Sequence, residues 1–426
     1  MAGVRPFRGL RYNPTVVDPS LTIAPPYDVI SPQRQQELYG QSPYNIVRVE
    51  YGRDEPGDAE NANKYTRAAR DLRDWMERSV LIRDDVPALY LYRQQFDWAG
   101  ESRVRVAVFA AVRLEPWDAG VIKPHEYTLS NPKEDRMRLL RATRTQVSPV
   151  YGIFRPRAGS MPAIGGEPVV VASAEGQHHA LERVTDAAMI AQFAAVLEQS
   201  DVYIADGHHR YETALAYRDE VRALAAAWTG DEPENFVLMA LTSADDPGLL
   251  VLPTHRIVTP PVFPEDAIDR LRRHFEVTPV SASVDRLVDV LADEGKSAPS
   301  FVALGLAPEP LLLTLRDPSG VFALMPRGQP EAWMRLDVNV LQYGVLADIF
   351  GIDDAVLAAG TAVTYTQDAA LAAEAVSSGR AGLAFLLNPT PVDQVMTVAD
   401  AGARMPQKST FFHPKLPTGL VLRPLD

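Results

Sequence analysis

Asp206-Gly207-His208-His209-Arg210 sets a carboxylate, two imidazoles and a guanidinium into five consecutive residues. Groups of that kind bind anions and move protons. A guanidinium offers paired, charge-assisted hydrogen bonds to phosphate or carboxylate, and an imidazole titrates near neutral pH. The flanking pattern says how they are held. Asp201-Val202-Tyr203-Ile204-Ala205 is short, β-branched and aromatic, as a buried strand should be. Tyr211, Ala214, Leu215, Tyr217, Val221, Leu224 and Trp228 then mark a long helix. Asp206 falls where an N-cap belongs, and Gly207 permits a tight turn. His208, His209 and an exposed Arg210 are therefore expected in the first helical turn, where backbone N–H groups lack partners inside the helix. That is a place for an anion. The plainer reading, a capped helix whose Arg210 pairs with an acidic neighbour, leaves both histidines unexplained. A zinc ion shared by His208 and His209 is disfavoured, because adjacent residues on a helix point about 100° apart.

Four other stretches concentrate reactive groups. In Pro25-Pro26-Tyr27-Asp28-Val29-Ile30, prolines fix the approach to one carboxylate, and a rigid loop with Asp28 as a cap is the preferred reading. Lys123-Pro124-His125-Glu126-Tyr127-Thr128 runs into Pro132-Lys133-Glu134-Asp135-Arg136. Its His125–Glu126 pair could supply a general base, or ligate a divalent cation with Glu134 or Asp135. The same stretch also reads as a surface loop capping the next helix. In Met405-Pro406-Gln407-Lys408-Ser409-Thr410, followed by Phe411-Phe412-His413-Pro414-Lys415-Leu416, the lysine and two hydroxyls suit phosphate, unless the tail merely docks by its phenylalanines. Gln177-His178-His179 lies in a polar strip and is expected at the surface. His255 and His274 have no reactive neighbours and are taken as structural.

Composition narrows the classes. The chain of 426 residues has no cysteine, which excludes thiolate metal sites, disulfides and cysteine nucleophiles and fits a reducing cytoplasm. Its formal net charge of −13 argues against DNA as a partner. No apolar run approaches the ~18 residues of a membrane span, and no signal peptide is expected. Strand-like and helix-like segments alternate throughout. Strands are expected at 44–51, 88–93, 104–112, 236–242, 301–306, 311–315 and 384–387. Helices are expected at 61–78, 133–144, 189–198, 267–274, 337–350 and 369–379. This alternation implies a mixed α/β chain of two domains, 1–255 and 256–426, with a boundary segment at 253–261.

With these motifs in view, the chain resembles a large bacterial family often labelled SpoOJ/ParA/ParB/RepB-like. The resemblance runs through "PPYDVI" at 25–30, "HEYT" with "KEDR" at 125–136, "YIADGHHR" at 203–210 and "MPQKSTFFHPKL" at 405–416. Gly207–Arg210 is also similar to the Gly-x-x-Arg turn of the ParB/sulfiredoxin superfamily, and Asp206–Arg210 to its nucleotide-dependent free-serine kinases. That likeness implies a ParB/sulfiredoxin-like strand–turn–helix core and phosphates on the turn. Sulfiredoxin chemistry is excluded, since His208 stands where its cysteine would be. The implied activity is phosphoryl transfer from ATP or ADP to a small hydroxyl compound such as serine. The alternatives are a phosphate-ester or nucleotide hydrolase and a non-catalytic nucleotide-binding regulator. In the implied site Gly207, His208, His209 and Arg210 hold phosphates, and Lys408, Ser409 and Thr410 close over them. Glu126 takes the hydroxyl proton, with His125, His209 and Asp206 also catalytic. Mg²⁺ falls to Asp28, Asp206 or Glu134. Two departures from the family pattern stand out: Leu129 replaces an arginine, and 358–363 reads Ala-Ala-Gly-Thr-Ala-Val.

Overall fold

The computed structural model describes residues 2–128, 130–156, 161–260 and 262–426. Leu129, with its departure from the family pattern, and Pro261, at the end of the boundary segment, lie outside them. Where the sequence reading draws one boundary, the contacts draw several. A first compact unit comprises Met1–Pro124, Thr128–Leu250 and Pro414–Asp426, and a second comprises His125–Tyr127 and Val251–His413. Both are mixed α/β. Among the described residues, no helix is long and apolar enough to cross a membrane.

The first unit is built on a nine-stranded sheet. Its strands are β1 (Val4–Arg5), β2 (Leu89–Trp98), β3 (Glu101–Arg113), β4 (Ile122–Lys123), β5 (Val150–Phe154), β6 (Glu167–Ala174), β7 (Gln177–Val184), β8 (Val202–Asp206) and β9 (Phe236–Ser243). Their order is β4-β8-β5-β9-β3-β2-β7-β6, with β1 against β3. The helices that matter to function are α1 (Val47–Glu50), α2 (Lys64–Glu77), α3 (Ser130–Thr143), α4 (Ala187–Glu198) and α5 (His208–Leu224). Strand β9, Phe-Val-Leu-Met-Ala-Leu-Thr, is apolar on both faces because it lies inside the sheet. Val150, Phe154, Phe193, Ile204, Tyr211 and Met239 share one core, which ties α4 and the start of α5 to the sheet.

Two local expectations fail here for physical reasons. Residues 44–51 read as a strand, yet 47–50 form the helical turn α1. Asn45 is buried, accepts from Val47 N and donates to the Leu21 and Ile23 carbonyls, so its side chain overrides the β-branched run. The turn buries Glu50, which a strand would have placed by alternation. The second is His179, which lies on β7 at 2% exposure, not at the surface. Its Nδ1 meets the Tyr92 hydroxyl at 2.8 Å, and burial pulls its pKa down to about 4.

The second unit carries a six-stranded sheet in the order β11-β13-β12-β15-β10-β14. These are β10 (His255–Val258), β11 (Phe275–Pro279), β12 (Ser300–Leu304), β13 (Leu311–Leu315), β14 (Val363–Thr366) and β15 (Leu383–Leu387). One face packs on helices α6 (Val284–Glu294) and α8 (Ala369–Ser377) through Leu287, Leu291, Ala372 and Leu386. The other packs Phe301, Phe385 and Val258 against Trp333, Leu341 and Phe350. The expected helix 337–350 is present as α7 (Asp337–Leu341), a π-helical turn at Gln342–Ala347, and a last turn at Asp348–Phe350. The strand leading in, Leu250–Leu252, pairs with the strand leading out, Phe411–His413.

Asp337 opens α7 half-buried, and burial pushes its pKa up to about 7. A carboxyl raised in the folded state binds its proton more tightly there than in the unfolded chain. Stability therefore falls as pH rises from about 4, the ordinary Asp value, to about 7. Asp337→Asn should gain stability over the native protein at pH 8 and match it near pH 4. Urea melts at the two pH values measure this, and an equal effect at both would refute it.

Candidate functional site

In the first unit, β8 delivers Asp206 and α5 starts two residues later. A single extra residue bulges β8: Ile204 faces Gly152 across the sheet, while Asp206 faces Tyr151, leaving Ala205 unmatched. Bulges of this kind re-aim the side chains that follow. The N-cap is Gly207 rather than Asp206, with φ at 90°, and it offers no side chain to the first turn. Asp206 is instead the shared partner of two cations. Its Oδ2 lies 2.7 Å from Arg210 Nη2 and its Oδ1 lies 2.8 Å from Lys415 Nζ. Burial opposes ionisation of this carboxyl, but Lys415 and Arg210 outweigh it and hold the pKa well below the usual carboxylate range.

Arg210 is not the exposed residue expected. Its side chain is 10% exposed and also donates to the Pro149 carbonyl. The ion pair of the plainer reading is thus real, and it lies within a larger network. Lys415 is brought in by the C-terminal stretch, which buried Arg105 anchors by donating to Pro414 O at 2.6 Å.

Two more stretches reach the same neighbourhood. The Arg136 guanidinium lies 4.1 Å from the Tyr27 ring centre and 3.2 Å from Glu50 Oε1, and it also bonds Asp135. Burial pushes the Tyr27 phenol up to about 12 against the pull of both Arg136 and Arg210, so the two guanidinium groups share one environment. Burial likewise pushes the Glu50 carboxyl up, opposed by the same two arginines. Lys133 Nζ lies 3.1 Å from Glu212 Oε2, to which the Thr128 hydroxyl also donates. His209 feels all of this. Burial holds its pKa below the ordinary imidazole value, while the Glu212 and Asp28 carboxylates pull it back up. It is neutral at pH 7 and able to accept a proton.

Beside these groups lies a cavity of about 50 Å³ lined by Glu50, Arg136, Ser148, Arg210 and Thr213, among others. At about 10–15 Å³ per water it holds a few waters or one small polar group. Arg210 Nε and Arg136 Nη1 are buried without a hydrogen-bond acceptor, though the latter lies in ion-pair range of Glu50. A buried donor left unmade costs about 1–3 kcal/mol, which a ligand oxygen would recover.

Gly207→Ala should disturb both fold and site. A Cβ there would sit 2.8 Å from Arg210 Nε, on a left-handed backbone. The expected loss is about 1–2 kcal/mol of stability, read by urea melts, together with weaker binding of inorganic pyrophosphate. Unchanged pyrophosphate affinity would show that the Arg210 position does not matter to the site.

The remaining expected site residues are placed less simply. Asp28 is exposed on the turn Tyr27–Val29, within electrostatic range of His209. Glu134 is exposed on α3 and acts on Arg141. Among the described residues no group of three or more His, Asp or Glu side chains could hold a metal ion.

His125, Glu126, Lys408, Ser409 and Thr410 belong to the second unit. There, buried His125 meets Thr410 Oγ1 at 3.0 Å through Nε2, which also lies 3.8 Å from Glu126 Oε1. The Ser409 hydroxyl donates to Pro406 O at 2.6 Å and closes the turn. Lys408 alone of that triplet is exposed.

Sequence reasoning missed Glu50 and Glu212. Lys415 carried a signal, since it stands in the closing motif. Glu50 carried none, because its segment reads as a strand.

Fold and site together define a mixed α/β protein with a cation-rich turn between a bulged strand and a helix. The chain belongs to the family described as Protein of unknown function (DUF1015), whose model matches residues 4–354. No curated protein matches it in sequence. Among solved structures, a free serine kinase in complex with AMP is similar over 74% of this chain and 92% of its own, at 13% identity and a TM-score of 0.35. A conserved hypothetical protein from Pyrococcus furiosus covers 74% of this chain and 95% of its own at 16% identity, TM-score 0.35. C-terminally truncated SbnI from Staphylococcus aureus covers 74% and 87% at 11% identity, also at 0.35.

Proposed function

We propose that this protein is a phosphotransferase that holds the phosphates of ATP or ADP at the first turn of α5 and passes a phosphoryl group to a small hydroxyl compound, free serine first among the candidates. One observation carries the proposal. Lys133, Arg136 and Lys415, from two distant stretches of chain, gather with Arg210 about the Gly207 turn and a neutral His209.

The bound nucleotide supplies the phosphoryl group. Lys133, Arg136, Arg210 and Lys415 spread positive charge over the phosphate oxygens, which is most of what phosphoryl transfer asks of a protein. Their bonds to Glu212, Glu50, Asp135 and Asp206 fix them in advance, so little reorganisation is needed. His209 takes the acceptor's hydroxyl proton as the new oxygen–phosphorus bond forms and the bond to the leaving phosphate breaks. The Glu212 and Asp28 carboxylates then stabilise the imidazolium. The cavity wall presents a carboxylate and two guanidinium groups, which suits an acceptor bearing both an ammonium and a carboxylate. Mg²⁺ would be held by Asp28, Asp206 or Glu134 together with the nucleotide phosphates, and no step is routed through it.

Incubation with serine and ATP or ADP, followed by ³¹P NMR, tests the reading. Phosphoserine appearing as nucleotide is consumed is the expected result. Nucleotide loss without phosphoserine would convert the reading to hydrolysis. No turnover, and no rise in melting temperature with either nucleotide, would sink it.

A further inference from the structure

Tyr27 opens the turn Tyr27–Val29 of the first unit, and the chain around it is fixed. Ala24 exchanges backbone hydrogen bonds with Thr418, at 3.1 and 2.8 Å. Pro25 and Pro26 then restrict φ. Beyond the turn, Ile30 N donates to Tyr27 O at 3.3 Å and Ile30 enters the core. The ring is held as well, because the buried Arg136 guanidinium lies 4.1 Å from its centre. A side chain fastened in this way loses little freedom when it meets a ligand.

The Tyr27 hydroxyl has no hydrogen-bond partner among the described residues. Tyr51 and Tyr217 share that trait, so it marks nothing by itself. The surroundings decide. The Tyr217 hydroxyl feels Arg144 and Arg141, whose side chains are 62% and 47% exposed. The Tyr27 hydroxyl feels Arg136 and Arg210, at 7% and 10%. Each of these two arginines also keeps a buried nitrogen without a hydrogen bond: Nε of Arg210, and Nη1 of Arg136, which stays in ion-pair range of Glu50. Both arginines line the cavity of about 50 Å³. Three donors thus share one neighbourhood. The carboxylates in electrostatic range of the phenol, Asp28 and Glu50, accept no hydrogen bond from it. Burial pushes the phenol up to about 12, so at neutral pH it offers a hydrogen and carries no charge to repel an anion.

We infer that Tyr27 is a ligand-binding residue of the Gly207 site, whose hydroxyl donates to a phosphoryl oxygen held by Arg136 and Arg210. The inference deepens the proposed function and rests on its reading of that turn as a phosphate site. The guanidinium groups supply charge. The phenol supplies direction, since an O–H donor to a charged oxygen makes a short, aligned bond at one place.

Inorganic pyrophosphate titrated calorimetrically into the full chain provides the test. Tyr27→Phe removes the hydroxyl and keeps the ring. It should weaken binding about tenfold, the worth of one hydrogen bond to a charged group. Its ligand-free melting temperature should match that of the native protein, because the hydroxyl holds nothing in the fold. Tyr27→Leu uncovers Arg136 and should lower the melting temperature too. Tyr51→Phe, which removes another hydroxyl without a partner, should change nothing. Native affinity in Tyr27→Phe would overturn the inference and leave the phosphate reading standing. So would an equal loss in Tyr51→Phe, or a melting temperature for Tyr27→Phe as low as that of Tyr27→Leu. Absence of pyrophosphate binding by the native protein would overturn both. Weaker binding in Tyr27→Phe, with no phosphoserine formed from serine by the native protein, would keep the inference and sink only the activity.

Discussion

Asp206→Asn is expected to destabilise the protein by about 3–5 kcal/mol, the usual cost of removing one partner from a buried ion pair. The amide keeps the shape but leaves Arg210 and Lys415 with no anion between them, at side-chain exposures of 10% and 16%. The effect should depend on pH in a defined direction. The folded-state pKa of Asp206 is depressed, because Lys415 and Arg210 outweigh its burial. Such a group contributes fully above the unfolded value of ~3.9 and loses its contribution as pH falls toward the lower folded value. The stability gap between native protein and variant should therefore be constant from pH 5 to 8 and narrow below about pH 4. Urea melts across that range measure it. A gap that is absent, or that widens in acid, would show that the Asp206 carboxylate does not hold the two cations together.

The second large effect concerns proton transfer. His209→Asn should retain nucleotide binding and lose about 10²–10⁴ in turnover, roughly 3–5 kcal/mol of barrier. Because burial lowers the His209 pKa, the native rate should stay level down through pH 6.5, the ordinary imidazole value, and fall only in more acid solution where the ring is protonated. Glu126→Gln examines the base expected from sequence. If Glu126→Gln abolishes turnover and His209→Asn leaves it intact, the proton goes to Glu126. A rate that already falls at pH 7 in the native protein would remove His209 from the role. Full activity in both variants would remove the base from the mechanism altogether.

The strand, turn and helix around Gly207 were legible because each is written locally. Val202–Ala205 is β-branched and aromatic, Gly207 is the residue that tolerates positive φ, and the apolar spacing from Tyr211 onward repeats every three or four residues. What was not legible came from partners far along the chain. Nothing near Asp206 announces that its carboxylate is taken by Lys415, 209 residues later. The N-cap role given to Asp206 failed because the Ala205 bulge re-aims it, and a bulge has no signature in so short a strand. Glu50 was hidden by a segment whose β-branched residues spell a strand while Asn45 bends it into a helical turn. The π-helical turn at Gln342–Ala347 left the expected helix length correct and its hydrogen bonding unannounced.

The pairing of Leu250–Leu252 with Phe411–His413 has a consequence for how the first unit is completed. Lys415 can reach Asp206 only by closing a very long loop, most of which is the second unit. Once the second unit has folded, its incoming and outgoing strands are clasped, and the loop left to close runs only from Asp206 to Leu250 and from His413 to Lys415. Each halving of loop length lowers the closure cost by about 0.6 kcal/mol. The interrupting unit thus acts as a staple made of folded protein, which shortens the loop that must close for Lys415 to meet Asp206.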